Sequence, residues 1–283
     1  MVMDVDGSSE AGAGSPLTLA ERLEHRRQVR VPARQNTKLT ALIEAVNQDE
    51  DLYALWVAAN VNAVDRLGMS DHGPVHVHIV ANSSLRLLRL LIDGGVTPNI
   101  VSNYGLEPED AEVVVTLAAL LHDIGISIHR DGHEEFSLFM AESKLRDFLS
   151  DLYPTPIDTI VRSEVLHSII AHRSGGRALT LEAGVLRVAD ALDMAKGRSR
   201  IPFRAGSMSI HSVSAAAIEE VHIERGDTTA VRIRVEMTNS AGVFQVDQLL
   251  RRKLAGSGLE PHLEVQAEIE GETEKRIVGT FQL

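Results

Sequence analysis

From Lys38 to about residue 200, apolar residues recur three and four apart, the spacing that lines one face of a helix. The stretch "LTALIEAVNQDEDLYALWVAANVNAVDRLGMSDHG" predicts two helices, with Leu42, Val46, Leu52, Leu55 and Val61 turned to a core. Gly73 and Pro74 then restart the chain. Pro74 suits the first turn of a helix whose apolar positions Val77, Val80, Leu87, Leu88 and Leu91 run to the stop at Gly94 and Gly95. Next, "EPEDAEVVVTLAALLHDIG" opens with carboxylates and becomes apolar almost all round, the pattern of a central helix enclosed by others. Further helices are expected at about 132–150, 156–173 and 180–196, divided by Pro154, Gly175-Gly176 and Gly197.

After Pro202 the period shortens to two. "AVRIRVEM" alternates Val231, Ile233, Val235 and Met237 with polar residues, and "HLEVQAEIEG" does the same with Leu263, Val265, Ala267 and Ile269, so both predict half-buried strands. An amphipathic helix, "VFQVDQLLRRKLAGSG", lies between them. With "IEEVHIERG" before and "KRIVGTFQL" after, the order is ββαββ, and the simplest build is a small antiparallel sheet covered on one face by the helix. The expected organisation is a flexible N-terminal tail and arm (1–37), a helical domain (38–200) and a small α+β domain (201–283), mainly α overall. Such a small sheet leaves edges or a face open, which allows pairing as a homodimer.

Composition narrows the chemistry. There is no cysteine among the 283 residues, which excludes disulfides, thiol nucleophiles and thiolate metal sites; a metal here must be held by His, Asp, Glu or carbonyl oxygen. A net charge of −12 argues against a nucleic-acid duplex as partner. The acidic, Gly/Ser-rich start "MVMDVDGSSEAGAGSP" is unlike a signal peptide and no apolar run approaches the ~20 residues of a membrane span, so the expectation is a cytoplasmic protein without membrane association.

Eight of the twelve histidines fall between His72 and His172. His76 opens an apolar helix, His122 and Asp123 end the central one, His133 opens the next, His172 ends "VLHSIIAH", and Asp190 lies in "GVLRVADALD". A buried carboxylate demands a partner, and a buried imidazole needs its nitrogens satisfied. A divalent transition metal (Mn, Fe, Co, Ni or Zn) meets both needs. Six candidate ligands exceed what one open catalytic metal requires, whereas two metals ~3.5–4 Å apart could share Asp123 and acidify a water between them. Asp193, on the same face as Asp190, is a candidate hydrogen-bond partner for a ligand. His167, five residues before His172 and about 140° round the helix, is read as a helix-surface residue or a support for a ligand. His78 is read as structural, His72 as a cap or a neighbour of the pocket, and His129 and Arg130 as loop residues near it.

The order His76, His122-Asp123, Asp190, within "HVHIVA", "LLHDIG" and "VLRVADALDMAKGR", resembles the HD-domain superfamily of metal-dependent phosphohydrolases, of a prokaryotic type with an added C-terminal α+β domain; the similarity covers roughly residues 70–200. The resemblance implies that His76, His122, Asp123 and Asp190 hold one metal, and that His133 and His172 match the extra ligands of two-metal members. It also implies hydrolysis of a small phosphate ester or nucleotide by a metal-activated water, with Asp123 in the catalytic centre and Arg173 or Arg198 steadying the phosphate. Many relatives continue the His-Asp pair to a lysine, and this chain has Ile126 there. That departure keeps two alternatives open: a ligand or nucleotide sensor with reduced turnover, and a di-iron oxygenase on the same scaffold.

Overall fold

A computed structural model of the chain describes residues 18, 21, 28–173, 175–194, 214–269 and 281–282. The helices are α1 (Thr37–Gln48), α2 (Glu50–Asn60), α3 (Pro74–Asp93), α4 (Asn99–Tyr104), α5 (Pro108–Leu121), α6 (His133–Ser150), α7 (Ile157–Ala171) and α8 (Leu181–Leu192). A π-helical turn, Val61–Arg66, extends α2, and a short 3-10 turn, Ile124–Ser127, follows α5.

The central helix is α5. Every residue from Val113 to Leu121 is buried, so its continuous apolar run is spent on contacts with α1, α3, α4, α7 and α8. Its first turn is fixed by polar bonds instead. Asp110 accepts from the backbone N–H of Glu107 in a capping box, from the Tyr153 hydroxyl at 2.7 Å and from Lys38 Nζ at 2.5 Å. Helix α3 is long and apolar enough by length and composition to cross a membrane, which the sequence reading did not expect of any segment. Ten of its residues, Val77, Val80, Leu87, Leu88 and Leu91 among them, are buried in the bundle.

The end of the N-terminal arm, expected to be flexible, packs on this bundle. Val29 is buried, its N–H donates to Asn47 Oδ1 and its carbonyl accepts from Asn47 Nδ2, while Arg89 bonds the Pro32 carbonyl and clasps Glu112 through two nitrogens. Bidentate pairing satisfies a guanidinium that α3 would otherwise bury alone.

The C-terminal part keeps the expected ββαββ order: β1 (Ile218–Arg225), β2 (Val231–Met237), a helical segment, β3 (Leu263–Ile269) and β4 (Phe281–Gln282). The helical segment is α-helical at Val243–Gln245 (α9), π-helical at Val246–Leu250 and α-helical again at Arg251–Leu254 (α10). The sheet is not wholly antiparallel. In the order β1-β2-β3-β4, β1 pairs antiparallel with β2 and β3 with β4, but β2 and β3 run parallel, Ile233 opposite Val265. The segment between β2 and β3 is long enough to carry the chain back to the starting end of the sheet, which a parallel pair requires. Alternation in β2 and β3 is as expected, with Val231, Ile233, Val235, Leu263, Val265 and Ala267 buried. The sheet docks on α3: Arg86 Nε donates to the Ile223 carbonyl, and a Cβ on Gly94 would fall 2.5 Å from that of Ala230.

Candidate metal centre

Five helices converge here, each at or near one end. His76 lies in the first turn of α3, His122 caps the end of α5, Asp123 follows it, His133 opens α6, His172 caps the end of α7 and Asp190 sits in the last turn of α8. Asp71 secures the start of α3 by accepting from the N–H groups of Gly73 and His76. The turn after His122-Asp123 lies flat on α6, because a Cβ at Gly125 would stand 2.1 Å from the His133 carbonyl oxygen. Ser137 locks that contact, donating to the His122 carbonyl and accepting from Gly125 N–H.

All four histidines turn Nδ1 to an oxygen acceptor. The partners are Asp193 Oδ2 for His76 (2.6 Å), the Ala119 carbonyl for His122 (2.8 Å), the Arg130 carbonyl for His133 (2.9 Å) and the Ile169 carbonyl for His172 (2.5 Å). Hydrogen-bond partners place an N–H at Nδ1, so Nε2 is the nitrogen each ring presents to the cluster. At His133 a nitrogen of Arg130 also lies close to Nδ1, but two oxygens, the Arg130 carbonyl and Glu134 Oε2, favour the N–H. The four Nε2 atoms face one another and two carboxylates.

His76 Nε2 lies 3.3 Å from His122 Nε2, 3.4 Å from Asp123 Oδ2 and 3.5 Å from Asp190 Oδ1. His122 Nε2 lies 3.4 Å from Asp123 Oδ2 and 3.8 Å from Asp190 Oδ1. Ligand atoms bound at 2.0–2.2 Å around one ion stand about 3–3.5 Å apart; the distances from His76 Nε2 fall in that range and the His122–Asp190 distance is slightly wider, so the group is a candidate for one first-row metal. A second group forms on the other oxygen of Asp123: Oδ1 is 3.1 Å from His133 Nε2 and 3.7 Å from His172 Nε2, with Glu134 alongside. Residues of the two groups other than Glu134 and Asp190 are buried.

Electrostatics match a cation-binding pocket. Burial alone would push the Asp123 carboxyl up, but His122, then His133 and His76, hold it far below the usual carboxylate range. Burial likewise opposes charge on His122, yet Asp123 and Asp190 overcome it and raise that imidazole to about 10. His172 is driven the other way, to about 3, by burial and by the positive charges of His122 and Lys253. Glu134 is lowered to about 2, its desolvation outweighed by the His133 hydrogen bond.

The family comparison matches an HD domain to residues 84–195, a span that contains His122, Asp123, His133, His172 and Asp190 and begins after His76. An uncharacterized protein of Methanocaldococcus jannaschii is 42% identical over 214 residues, covering 76% of this chain and 83% of the relative. The chain belongs to the HD-domain family. That family is a superfamily of metal-dependent phosphohydrolases, and the donor set of this HD-domain protein suits divalent transition metals. No solved structure matches the chain.

The pocket above the candidate ligand cluster, lined by residues of both the helical bundle and the C-terminal segment, has a volume of about 350 Å³. Its wall includes Arg130, Glu134, Gln248, Arg252 and Lys253 beside the candidate ligands, and His72, whose Nδ1 is 2.7 Å from the Ser70 carbonyl. Arg173 is not brought to it: its exposed guanidinium pairs with Glu135 Oε1 at 2.9 Å, because the end of α7 turns it toward α6 rather than inward. Arg198 lies outside the described residues. Ile126, where the resemblance to HD hydrolases leads one to expect a lysine, is fully buried against Ala59, Ala63 and Met69. His78 bonds the Arg30 carbonyl and His167 accepts the Leu179 N–H, both away from the centre. His129 accepts the Asp131 N–H within the exposed loop. Glu134 and Lys253 were not singled out from the sequence. Glu134 is legible in retrospect as the neighbour of His133; Lys253 reaches the site only through tertiary docking.

Proposed function

We propose that this HD-domain protein hydrolyses a small phosphate ester or nucleotide at a two-metal centre. One observation carries the reading: four buried histidines, each with Nδ1 held by an oxygen, turn Nε2 toward Asp123 and Asp190 at ligand-ligand spacing. His76, His122, Asp123 Oδ2 and Asp190 Oδ1 would hold one metal. His133, His172 and Asp123 Oδ1, with Glu134 beside them, would hold the other. When bound, the metals supply Lewis-acid charge and lower the pKa of a coordinated water enough for it to attack phosphorus.

The chain's own residues divide the remaining work. Asp123 spans the two groups through its separate oxygens and sets their spacing. Asp193 and the three backbone carbonyls fix the imidazole rings, which preserves the ligand geometry while substrate exchanges. Arg130 supplies a positive charge over His133, at the pocket wall where an anionic substrate enters. A panel of phosphate monoesters, diesters and nucleotides, assayed for phosphate or nucleoside release by the manganese- or iron-loaded chain, tests the proposal. Turnover of at least one class that disappears in the Asp123→Asn variant supports it, and an inert loaded protein overturns it.

A further inference from the structure

The C-terminal domain touches a candidate ligand of the metal centre directly through Lys253, and Gln248, Leu249 and Arg252 line the same pocket. Lys253, at the end of α10, places Nζ 3.0 Å from Asp190 Oδ2 and bonds the carbonyl of His172. Asp190 thereby gives one oxygen to Lys253 while its other faces His76 and His122. The ammonium carries three N–H donors, and these two bonds leave one for a ligand in the pocket that Lys253 lines. Only 18% of the side chain is exposed, so the charge is held at the site rather than in bulk water.

The position of Lys253 is built into the packing. Arg187 of α8 is 1% exposed and donates to the carbonyls of Lys253, Arg252 and Ala255 on one side and of Ala171 and Arg173 on the other. One guanidinium thus binds the end of α10 to the end of α7, whose cap is His172. Nearby, α8 approaches the C-terminal chain so closely that a Cβ at Gly184 would lie 2.2 Å from the Ser257 carbonyl oxygen. Among the described residues the turn after His122-Asp123 offers the pocket no cation, since Ile126 is buried in apolar contacts.

We propose that the C-terminal domain is a wall of the active site, in which Lys253 binds the phosphate of the substrate with Arg252 beside it. This rests on the phosphohydrolase reading above and extends it: the domain is not an appended module, and the substrate is an anion gripped between the metal centre and α10. An ammonium with two of its bonds already fixed loses little freedom on taking a third, which suits it to hold a tetrahedral anion.

The test uses the full chain loaded with manganese and inorganic phosphate as the probe, comparing Lys253→Met and Lys253→Arg with the parent. Manganese content, thermal unfolding and phosphate affinity are measured for each. The expected result is that Lys253→Met keeps its manganese and fold but binds phosphate about tenfold more weakly or worse, while Lys253→Arg recovers most of the affinity. Parent-like phosphate binding by manganese-loaded Lys253→Met overturns the inference and leaves the hydrolase reading intact. Loss of manganese by both variants also overturns it, making Lys253 a support for Asp190 alone. A loaded parent that neither binds phosphate nor turns over any ester overturns both readings.

Discussion

His76 Nδ1 lies 2.6 Å from Asp193 Oδ2, joining the first turn of α3 to the residue that caps α8. Both side chains are buried, and the bond aims His76 Nε2 at His122 and the two carboxylates. Removing the carboxylate frees the ring to rotate and removes the acceptor that fixes its proton. The Asp193→Ala variant, which keeps no side-chain acceptor, is expected to bind manganese about 10–100-fold more weakly, with thermal unfolding used to confirm that it remains folded. Equilibrium dialysis with metal analysis checks this; unchanged affinity would mean that Asp193 does not orient the ligand.

The two ligand groups share Asp123 but differ otherwise. His172→Gln is expected to lower manganese from about two to about one per chain, whereas Asp123→Ala empties both positions. Metal analysis of the reconstituted variants separates a two-metal centre from a single one. A parent that saturates at one metal contradicts the second group.

Arg187 bonds five backbone carbonyls from within the core. Arg187→Met would leave those carbonyls unpaired, at a cost of about 3 kcal/mol or more, and Arg187→Lys should recover little because an ammonium cannot span the fork. Urea unfolding of the metal-free protein measures the loss. A change below about 0.5 kcal/mol would show that the clamp contributes nothing to docking.

His167 accepts the Leu179 N–H through Nε2 and so needs a neutral ring; burial, opposed by Glu164, lowers its pKa from 6.5. Below 6.5 the unfolded chain takes up a proton that the folded chain resists. Its contribution to stability is therefore constant above 6.5 and declines as pH falls from there toward the depressed folded value. His167→Gln keeps an acceptor for the N–H and removes the titration. Unfolding temperature against pH should fall less steeply on the acid side in that variant, and identical slopes would remove His167 from the account.

Helical period and terminal signals in the sequence were enough to find the bundle and its central helix, because Val113–Leu121 leave no polar face to mistake for surface. The residues that come together around Asp123 were legible for the same reason: His122 and Asp123 end an apolar run where a polar pair needs a purpose. Strand direction was not. Alternation at β2 and β3 reports which side is buried and says nothing of whether the neighbour runs parallel, which the intervening helical segment decides. Lys253 was hidden within "LLRRKLAG", where its charge reads as part of a solvated helix face; tertiary docking, including the Arg187 carbonyl clamp and the close contact at Gly184, brings it to Asp190. Arg173 failed in the opposite sense, lying next to His172 in sequence but leaving the helix end toward Glu135.

The most direct measurement of the central claim is the isotopic mass of phosphate released by the manganese-loaded full chain in water labelled with heavy oxygen. Attack of water on phosphorus predicts one heavy oxygen in each phosphate released from a monoester, and no release by Asp123→Asn. Product phosphate carrying only ordinary oxygen, or release that persists in that variant, would contradict it.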